Sequence, residues 1–196
     1  MKNCETYRPH ANLVFAGIGV VLCGLFVWSS FYQGGAVGEL TSIFFALAVL
    51  SCIYTFLIRP KICFGDEGII ITNPLDEFTI GWGDVIQMDT RWALTIETKD
   101  FTVSAWAATA SGRHRRNIHH SDIKGLDIDF GGSIRTADSP NSDSGAAAYR
   151  ARVRQRRFQD LGNIPSIATS RKRDFKPLAF VGVALALAIA TNALGH

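Results

Sequence analysis

The sequence predicts an integral membrane protein: a two-helix transmembrane hairpin, a small antiparallel β domain closed by a helix, and a third transmembrane helix. Three uncharged apolar runs, 11–32, 40–58 and 178–194, support the helical part of this prediction. Each is close to the roughly 20 apolar residues that cross about 30 Å of hydrocarbon as a helix. Buried core helices are the alternative, but a chain of 196 residues rarely hides three such runs. The region between the second and third runs alternates apolar and polar side chains, which is typical of half-buried strands.

The first predicted span covers 11–32, and a cleaved signal peptide is its alternative reading because Lys2 and Arg8 give a basic start. The run is longer than a typical signal sequence and lacks a small-residue cleavage site. Lipoprotein processing at Cys23 would need a small residue before it, and that residue is Leu22. We therefore expect a retained membrane helix.

The orientation follows from the basic residues. The connector 33–39 has no Lys or Arg, whereas Arg59 and Lys61 directly follow the second span at 40–58. Because Lys and Arg are retained on the cytoplasmic side, the N-terminus (1–10) and the β domain are predicted to be cytoplasmic. The chain is thus expected to be a multi-pass plasma-membrane protein with its connector and C-terminus outside.

The predicted cytoplasmic domain covers 59–162 and follows Pro60, which cannot continue a helix. Short alternating segments with tight turns between them predict an antiparallel meander that forms a small barrel or sandwich. The predicted strands lie in KICF (61–64), GIIIT (68–72), FTIGW (78–82) and ALTIETKDFTVSAW (93–106).

These segments resemble the small bacterial pleckstrin-homology-like (PH-like) domains of the low-molecular-weight antigen type. The resemblance lies in a membrane hairpin followed by Arg59-Pro60, then GDEGIIITN, IGWGDVIQM and ALTIETKD, and it covers about half of the chain. In that family a tryptophan followed by an acidic and an aliphatic residue, here Trp82, Asp84 and Val85, opens a strand. The resemblance implies a PH-like barrel capped by a C-terminal helix, and it implies no catalytic activity.

The chain departs from this pattern after the last predicted strand, where a long polar loop at about 107–143 intervenes. A helix is predicted next, with Ser144 suited to its start and Gly162 to its end. A basic linker, 163–176, leads to the third span at 177–194. The apolar stripe of the predicted helix consists of Ala147, Ala151, Phe158 and Leu161.

Two basic clusters precede the third span and are the candidate lipid-binding site. Basic residues near an anionic leaflet gain about 1 kcal/mol each, so contact with anionic lipid headgroups is the functional hypothesis. The alternative is a solvated helix face that only sets topology. Nucleic acid is not expected as a partner, because stacking aromatic residues are not interleaved with the cations. The candidates are Arg150, Arg152, Arg154, Arg156, Arg157, Arg171, Lys172, Arg173 and Lys176.

The four cysteines do not suggest a disulfide framework. Cys23 and Cys52 lie inside predicted spans. Cys4 and Cys63 lie on the predicted cytoplasmic side, where thiols are expected to stay reduced. No Cys-x-x-Cys pair suggests a metal or redox site.

The polar loop contains a histidine-rich stretch and several hydroxyl residues. The possible metal ligands are His114, His119, His120 and Asp122, but adjacent histidines do not supply the fixed geometry of three or four ligands, so no metal site is predicted. The candidates for regulatory phosphorylation, with a plain linker as the alternative, lie near Arg135 and are Ser133, Thr136, Ser139 and Ser142.

The spans contain small residues that would permit close packing of helices, within the chain or in an oligomer. Gly182 and Ala186 lie four residues apart, as do Ala184 and Ala188, and the first span contains several glycines, including Gly19.

The sequence has no recognisable nucleophile and base pair, no phosphate-binding loop and no zinc-protease motif, so an enzyme is not expected and no cofactor is predicted. The leading hypothesis is a non-enzymatic adaptor whose cytoplasmic domain binds anionic lipid or an unidentified membrane or cytoplasmic protein. The alternatives are an accessory subunit that acts through its spans and a metal-dependent enzyme that uses the histidine-rich loop.

Overall fold

The computed structural model describes residues 3–33, 35–109, 143–162 and 166–194. These residues form strands and helices in the order that the sequence led us to expect, with two additional strands. In chain order the elements are β1 (Glu5–Tyr7), α1 (His10–Gln33), α2 (Ala36–Ile53), β2 (Lys61–Phe64), β3 (Gly68–Thr72), β4 (Asp76–Gly81), β5 (Val85–Asp89), β6 (Ala93–Thr98), β7 (Thr102–Thr109), α3 (Asp143–Leu161), β8 (Ser170–Arg173) and α4 (Lys176–Leu194).

The chain divides into two compact units. The helical unit consists of His10–Pro60, Pro74–Asp76 and Arg173–His196. The strand unit consists of Met1–Pro9, Lys61–Asn73 and Glu77–Lys172, so it draws on chain from both sides of α1 and α2.

Three helices of the helical unit, α1, α2 and α4, are each long and apolar enough to span a membrane, by length and composition. This confirms the three predicted apolar helices. Helix α2 begins at Ala36, earlier than the predicted start at residue 40, and it continues beyond Ile53 as a π-helical segment, Tyr54–Ile58. Arg59 caps this segment, and Pro60 comes next, where a proline is expected to end a helix.

Small and hydroxylated residues lie where these helices pack. The Ser30 hydroxyl donates to the Ser42 hydroxyl at 2.7 Å between α1 and α2, and Thr41 donates to Thr191 at 3.0 Å between α2 and α4. A Cβ added at Gly19 would overlap the Ile53 side chain. The buried alanines and cysteine of these helices are Ala16, Cys23, Ala46, Ala48, Ala184 and Ala188.

The predicted pairing of small residues is therefore confirmed for one pair only. Ala184 and Ala188 are buried, whereas Gly182 and Ala186 are exposed on α4. Among the glycines of α1, Gly17 and Gly24 have open space around the position of an added Cβ.

The strand unit contains two antiparallel sheets. The first has the order β1-β2-β3-β4-β8 and the second has the order β5-β6-β7. Among the described strands, hydrogen bonds do not close these sheets into a barrel, so the barrel that the resemblance implies is not found. The predicted strand segments are confirmed within a few residues, except that Trp82 lies in a short 3-10 turn (Trp82–Asp84) between β4 and β5.

One hydrophobic core joins both sheets to α3. Ile62 is opposite Ile71 in the register of β2 and β3, and Ile71 is opposite Phe78 in the register of β3 and β4. The inward residues of β6 and β7 predicted from alternation, such as Leu94 and Val103, are buried in the same core. Helix α3 contributes the buried residues Ala147, Ala148 and Ala151.

The predicted boundaries of α3 are nearly confirmed. The helix begins at Asp143, so Ser144 lies in its first turn and is buried. It ends before Gly162, which has a φ of +60° and donates its N–H to the Phe158 carbonyl oxygen at 3.3 Å, as a C-terminal glycine cap does. Phe158 packs partly against the core, whereas Leu161, the last residue of the predicted stripe, is exposed.

Two strands were not predicted from the sequence. β1 pairs with β2, with Thr6 opposite Cys63, and β8 lies beside β4 at the other edge of the same sheet. β8 therefore occupies part of what was predicted to be the linker 163–176. Both strands are short, and β8 carries the sequence SRKR, so neither shows the apolar alternation that marks a half-buried strand.

Cys4 and Cys63 are joined as a disulfide, with Cα atoms 5.6 Å apart. This separation is within the usual range of about 4.4–6.8 Å for disulfides. The expectation that both thiols stay reduced is therefore wrong for this structure, because β1 brings Cys4 beside β2. Cys23 and Cys52 are free.

Candidate functional site

The predicted lipid-binding residues are distributed over both units of the fold. Five arginines lie on α3, and Arg171 and Lys172 lie in β8, all within the strand unit. Arg173 and Lys176 belong to the helical unit. They therefore do not form a single basic surface within either unit.

Arg154 is an internal cross-link of the strand unit. Its Nη1 donates to Asp66 Oδ1 at 2.6 Å, and its Nη2 lies 3.5 Å from Glu5 Oε2. Both ends of the first pair are largely buried, with side-chain exposure of 21% for Arg154 and 18% for Asp66. A hydrogen bond from Asn3 and the bond from Arg154 lower the pKa of Asp66 below its usual value. Arg154 thus ties α3 to the turn between β2 and β3.

Arg150 makes a second connection between α3 and the N-terminal strand. Its Nη1 lies 3.2 Å from Glu5 Oε1, and its guanidinium lies over the Tyr7 ring at 5.3 Å from the centroid. The Tyr7 hydroxyl donates to Asp143 Oδ1 at 2.5 Å. Burial, followed by the bond to Asp143, raises the pKa of the Tyr7 hydroxyl. Arg150 and Arg154 therefore already have intramolecular partners.

The other predicted basic residues have more varied surroundings. Arg157 and Lys172 are exposed. Arg171 lies over the Phe78 ring at 5.2 Å from its centroid, and Arg173 Nε lies 3.9 Å from Asp76 Oδ1. Lipid contact by the exposed members of the set stays a prediction.

The edges of the two sheets differ in how well they are protected. β1 is three residues long, and β8 is exposed and strongly cationic, which disfavours pairing with another strand. The edge of β7 is covered by Asn73. Its Nδ2 donates to the Ser104 carbonyl oxygen at 3.0 Å, and its Oδ1 accepts from the Trp106 N–H at 2.9 Å.

β5 is the remaining edge, and among the described strands it pairs only with β6. A bulge between Val85 and Gln87 takes Ile86 out of the register with β6. Ile86 is 59% exposed, although isoleucine is among the residues most often buried. Bulges re-aim side chains at sheet edges, and here the bulge lies at an apolar residue directed to solvent.

The turn between β5 and β6 presents a second apolar side chain. Trp92 is 71% exposed. The preceding turn is ordered by Asp89, whose Oδ1 accepts from the backbone N–H groups of Thr90 at 2.7 Å and Arg91 at 3.1 Å. Tryptophan and arginine are enriched at the centres of protein interfaces. We call the edge of β5 with Ile86, Arg91 and Trp92 the hairpin surface.

A short segment before β8 supports the start of the hairpin surface. The Thr169 hydroxyl donates to Asp84 Oδ2 and accepts from the Gly81 N–H at 3.1 Å. A Cβ added at Gly81 would overlap Ser166 and the Ile167 carbonyl oxygen, so only glycine permits this close approach. The segment before β8 therefore holds in place both the end of β4 and Asp84, the residue before β5.

The hairpin surface was not predicted from the sequence. "VIQMD" reads as an ordinary strand, and neither the bulge nor the exposure of Ile86 follows from its composition. The signal that could have indicated the site is Trp92, which directly follows Asp89-Thr90-Arg91, a polar turn where a large apolar residue is unusual.

The predicted metal and phosphorylation candidates lie outside the described residues. These are the histidine-rich stretch with His114, His119, His120 and Asp122, and the hydroxyl residues Ser133, Thr136, Ser139 and Ser142. In the described ranges, no group of three or more His, Cys, Asp or Glu side chains is arranged to hold a metal ion.

Comparisons of the chain with protein families, with characterised proteins and with solved structures found no match.

Proposed function

We propose that the chain is a multi-pass membrane protein that presents the strand unit as a non-enzymatic, PH-like adaptor. Its hairpin surface binds an extended segment of a partner protein by adding a strand to β5. The observation that carries the proposal is Ile86, which is exposed on β5. This edge strand is longer than β1 and lacks the cationic residues of β8. Strand addition of this kind obtains affinity from main-chain hydrogen bonds and specificity from side-chain contacts.

The three apolar helices support insertion in a membrane. The pairing of β1 with β2 adds an argument about topology, because these strands flank α1 and α2 in the chain. Two paired strands lie on the same side of a bilayer. The helices α1 and α2 between them must therefore cross the membrane an even number of times, as a hairpin does.

We assign the strand unit to the cytoplasmic side. Basic residues close to the ends of the apolar helices, including Arg8, Arg59 and Lys176, all lie on the side of the strand unit in this topology. The Cys4–Cys63 disulfide favours the opposite side, since disulfides persist in oxidising compartments.

A cysteine-accessibility experiment decides the orientation. Gly38, near the start of α2, has open space around an added Cβ, so Gly38→Cys should be tolerated. We expect a membrane-impermeant maleimide to label Gly38→Cys in intact cells and to label Lys172→Cys only after permeabilisation. The reverse pattern would place the strand unit outside and refute the assignment.

The PH-like assignment is supported by the order of the elements, with two small antiparallel sheets followed by α3 and a shared core. The proposal is non-enzymatic because the sequence lacks the catalytic motifs considered above. The metal-dependent alternative rests on the histidine-rich loop and is tested separately, by metal analysis of the purified protein and of a variant with His114, His119 and His120 replaced by alanine.

The adaptor proposal is tested by purifying the tagged full-length protein from native membranes in mild detergent and identifying proteins that accompany it. Ile86→Lys places a charge at the edge of β5, and Gln87→Pro removes a backbone N–H from it. We expect both variants to lose the partner while keeping the thermal unfolding transition of the strand unit. Val153→Lys on α3 is the matched control, since Val153 is also an exposed aliphatic residue.

The outcome of this experiment separates the adaptor from an accessory subunit. Retention of the partner by folded Ile86→Lys and Gln87→Pro proteins would refute binding at β5. Loss of the partner on replacing the apolar helices with generic leucine-rich helices, together with retention when β5 is altered, would instead support a subunit that acts through its spans.

A further inference from the structure

An open groove lies inside the helical unit, between the end of α2 and the start of α4. Its volume is about 430 Å³, within the range of roughly 300–1,000 Å³ typical of small-ligand pockets. The walls are mainly apolar, with Leu47 and Leu50 from α2 and Phe180 from α4. Lys176, the first residue of α4, adds a cation to this apolar lining.

The π-helical segment at the end of α2 shapes one wall. Tyr54 and Thr55 line the groove and begin this segment. The Thr55 hydroxyl donates to the Ser51 carbonyl oxygen at 2.7 Å, so its polar atom is satisfied within the helix. The Tyr54 and Phe180 side chains are both more than half exposed, so the apolar lining is not covered by the rest of the unit.

The charges next to the groove favour an anion. Asp174 is the adjacent carboxylate, and it is ion-paired to Arg59 at 2.8 Å. Its other oxygen accepts the backbone N–H of Lys176 at 3.1 Å, and this bond is the main reason that the pKa of Asp174 lies below its usual value. In the described ranges, the ion pairs do not include the Lys176 ammonium group. Its charge therefore remains available to a ligand.

We propose that this groove binds an anionic phospholipid of the surrounding bilayer, with one acyl chain along Leu47, Leu50 and Phe180 and the phosphate at Lys176. The proposal rests on the membrane-spanning part of the proposed function and is independent of the hairpin surface. The lining has a partner for each part of such a ligand: an apolar wall for the acyl chain and a cation for the phosphate. At the cytoplasmic end of the helices, the leaflet is the one that carries anionic lipids.

The acyl chain is favoured over a protein helix by the shape of the site. The groove is local to the ends of α2 and α4, whereas a second helix would need a stripe of contacts along several turns. A zwitterionic lipid would fill the apolar wall equally well, but the cation of its own headgroup balances its phosphate, so it would gain less from the Lys176 charge.

Photolabelling of the full-length protein in vesicles tests the proposal. The probes are phosphatidylglycerol and phosphatidylcholine, each with a photoactivatable acyl chain and each present at the same fraction in otherwise identical vesicles. We expect phosphatidylglycerol to label peptides that contain Leu47–Thr55 or Pro177–Phe180 several-fold more than phosphatidylcholine does. Equal labelling by the two lipids, or labelling spread evenly over the three helices, would overturn the proposal.

Two variants with matched controls separate the two halves of the site. Lys176→Gln should reduce phosphatidylglycerol labelling about fivefold, the change expected for loss of one cation near the leaflet. Lys99→Gln, which changes an exposed lysine in the turn between β6 and β7, should leave it unchanged. Leu47→Trp should fill the groove and reduce labelling by both lipids, whereas Leu13→Trp on α1 should not. Normal labelling of the Lys176→Gln and Leu47→Trp proteins would refute the assignment.

The same vesicles distinguish a failure of the groove from a failure of the proposed function. A protein removed by an alkaline wash does not span the membrane, and that result would refute both. A protein that resists the wash but is not labelled at the groove would refute the lipid site alone. The binding of a protein partner by the Ile86→Lys variant is a separate measurement and bears only on the hairpin surface.

Discussion

Replacing Arg154 by leucine should destabilise the strand unit and leave the hairpin surface unchanged. The change removes the guanidinium that holds Asp66 at 2.6 Å and Glu5 at 3.5 Å, but it keeps much of the aliphatic side chain. The bond to Asp66 is charge-assisted and largely buried, and such bonds contribute about 1.5–3 kcal/mol. The longer pair with the more exposed Glu5 adds less than about 1 kcal/mol. We therefore expect a loss of about 2 kcal/mol.

Hydrogen exchange measured by mass spectrometry is the suitable assay, because a chain with two compact units need not unfold in a single two-state transition. A loss of about 2 kcal/mol corresponds to about a 30-fold decrease in the protection of amides in β2 and β3. The matched control is Arg157→Leu. Arg157 lies on the same helix and is exposed, and it acts on Asp66 only at a distance. Its effect should be within about 0.5 kcal/mol.

Equal exchange in the Arg154→Leu and Arg157→Leu proteins would refute the structural role of Arg154. It would also return Arg154 to the group of arginines that are candidates for lipid contact. If Arg154→Leu instead abolished lipid binding and left exchange unchanged, the contact with Asp66 would contribute nothing measurable to the fold.

Three further predictions concern the strand unit. Cys4→Ser should lower the free energy of unfolding of the strand unit by at most about 4 kcal/mol, the loop-closure value for cysteines separated by 59 residues. Reductant should lower the thermal midpoint of the wild-type protein as much as Cys4→Ser does. The pKa of Asp66 is lowered in the folded state, so its ionised carboxylate stabilises the fold. This contribution to the free energy of unfolding is complete above the ordinary pKa of about 4 and is lost as the pH falls through the folded-state pKa. Thermal midpoints measured down to about pH 2 should therefore fall less for Asp66→Asn than for the wild type. Gly81→Ala should displace the segment that carries Thr169, at a cost of about 1–3 kcal/mol, and speed hydrogen exchange from Ser166 to Arg173.

Each of these predictions has a result that contradicts it. A thermal midpoint insensitive to reductant would mean that the disulfide is absent or without effect. An acid transition of the same size in the Asp66→Asn protein would assign the pH dependence to other carboxylates. Unchanged exchange in Gly81→Ala would mean that the segment before β8 can move aside without loss, and Gly83→Ala, where an added Cβ meets only ordinary contacts, is the control.

The parts of the fold that the sequence predicted are those with a local periodic signal. The strands β6 and β7 alternate apolar and polar residues, and their buried faces match that alternation. The strands β2 and β3 were predicted from short apolar, β-branched runs on either side of a turn. The end of α3 was predicted because Gly162 supports a left-handed conformation that other residues adopt less readily. The apolar helices were predicted from length and composition alone.

The parts that were missed depend on contacts between distant segments. β1 and β8 are held at the edges of a sheet whose central strands come from elsewhere in the chain, and their own sequences carry no strand signal. The partners of Arg154 lie 88 and 149 residues away, so a sequence reading grouped it with the surface arginines. Cys4 and Cys63 were treated as separate thiols for the same reason.

The candidate site was predicted least well. An adaptor that binds anionic lipid or a protein was predicted, but the sequence did not indicate an edge strand as the binding surface. The choice among edges depends on Asn73 beside β7, on the charge of β8 and on the bulge at Ile86, and these features become visible only once the sheet order is known.

The discontinuous strand unit has a consequence for biosynthesis. β1 leaves the ribosome first, yet Cys63 follows Cys4 by 59 residues, which at about 5–20 residues per second is a delay of roughly 3–12 seconds. During this interval both apolar helices are made, and the first strand has no sheet to join. β1 therefore has no partner strand until β2 has been translated. A bulky group fused ahead of β1 would interfere with the pairing of β1 with β2, whereas a group fused after α4 would not.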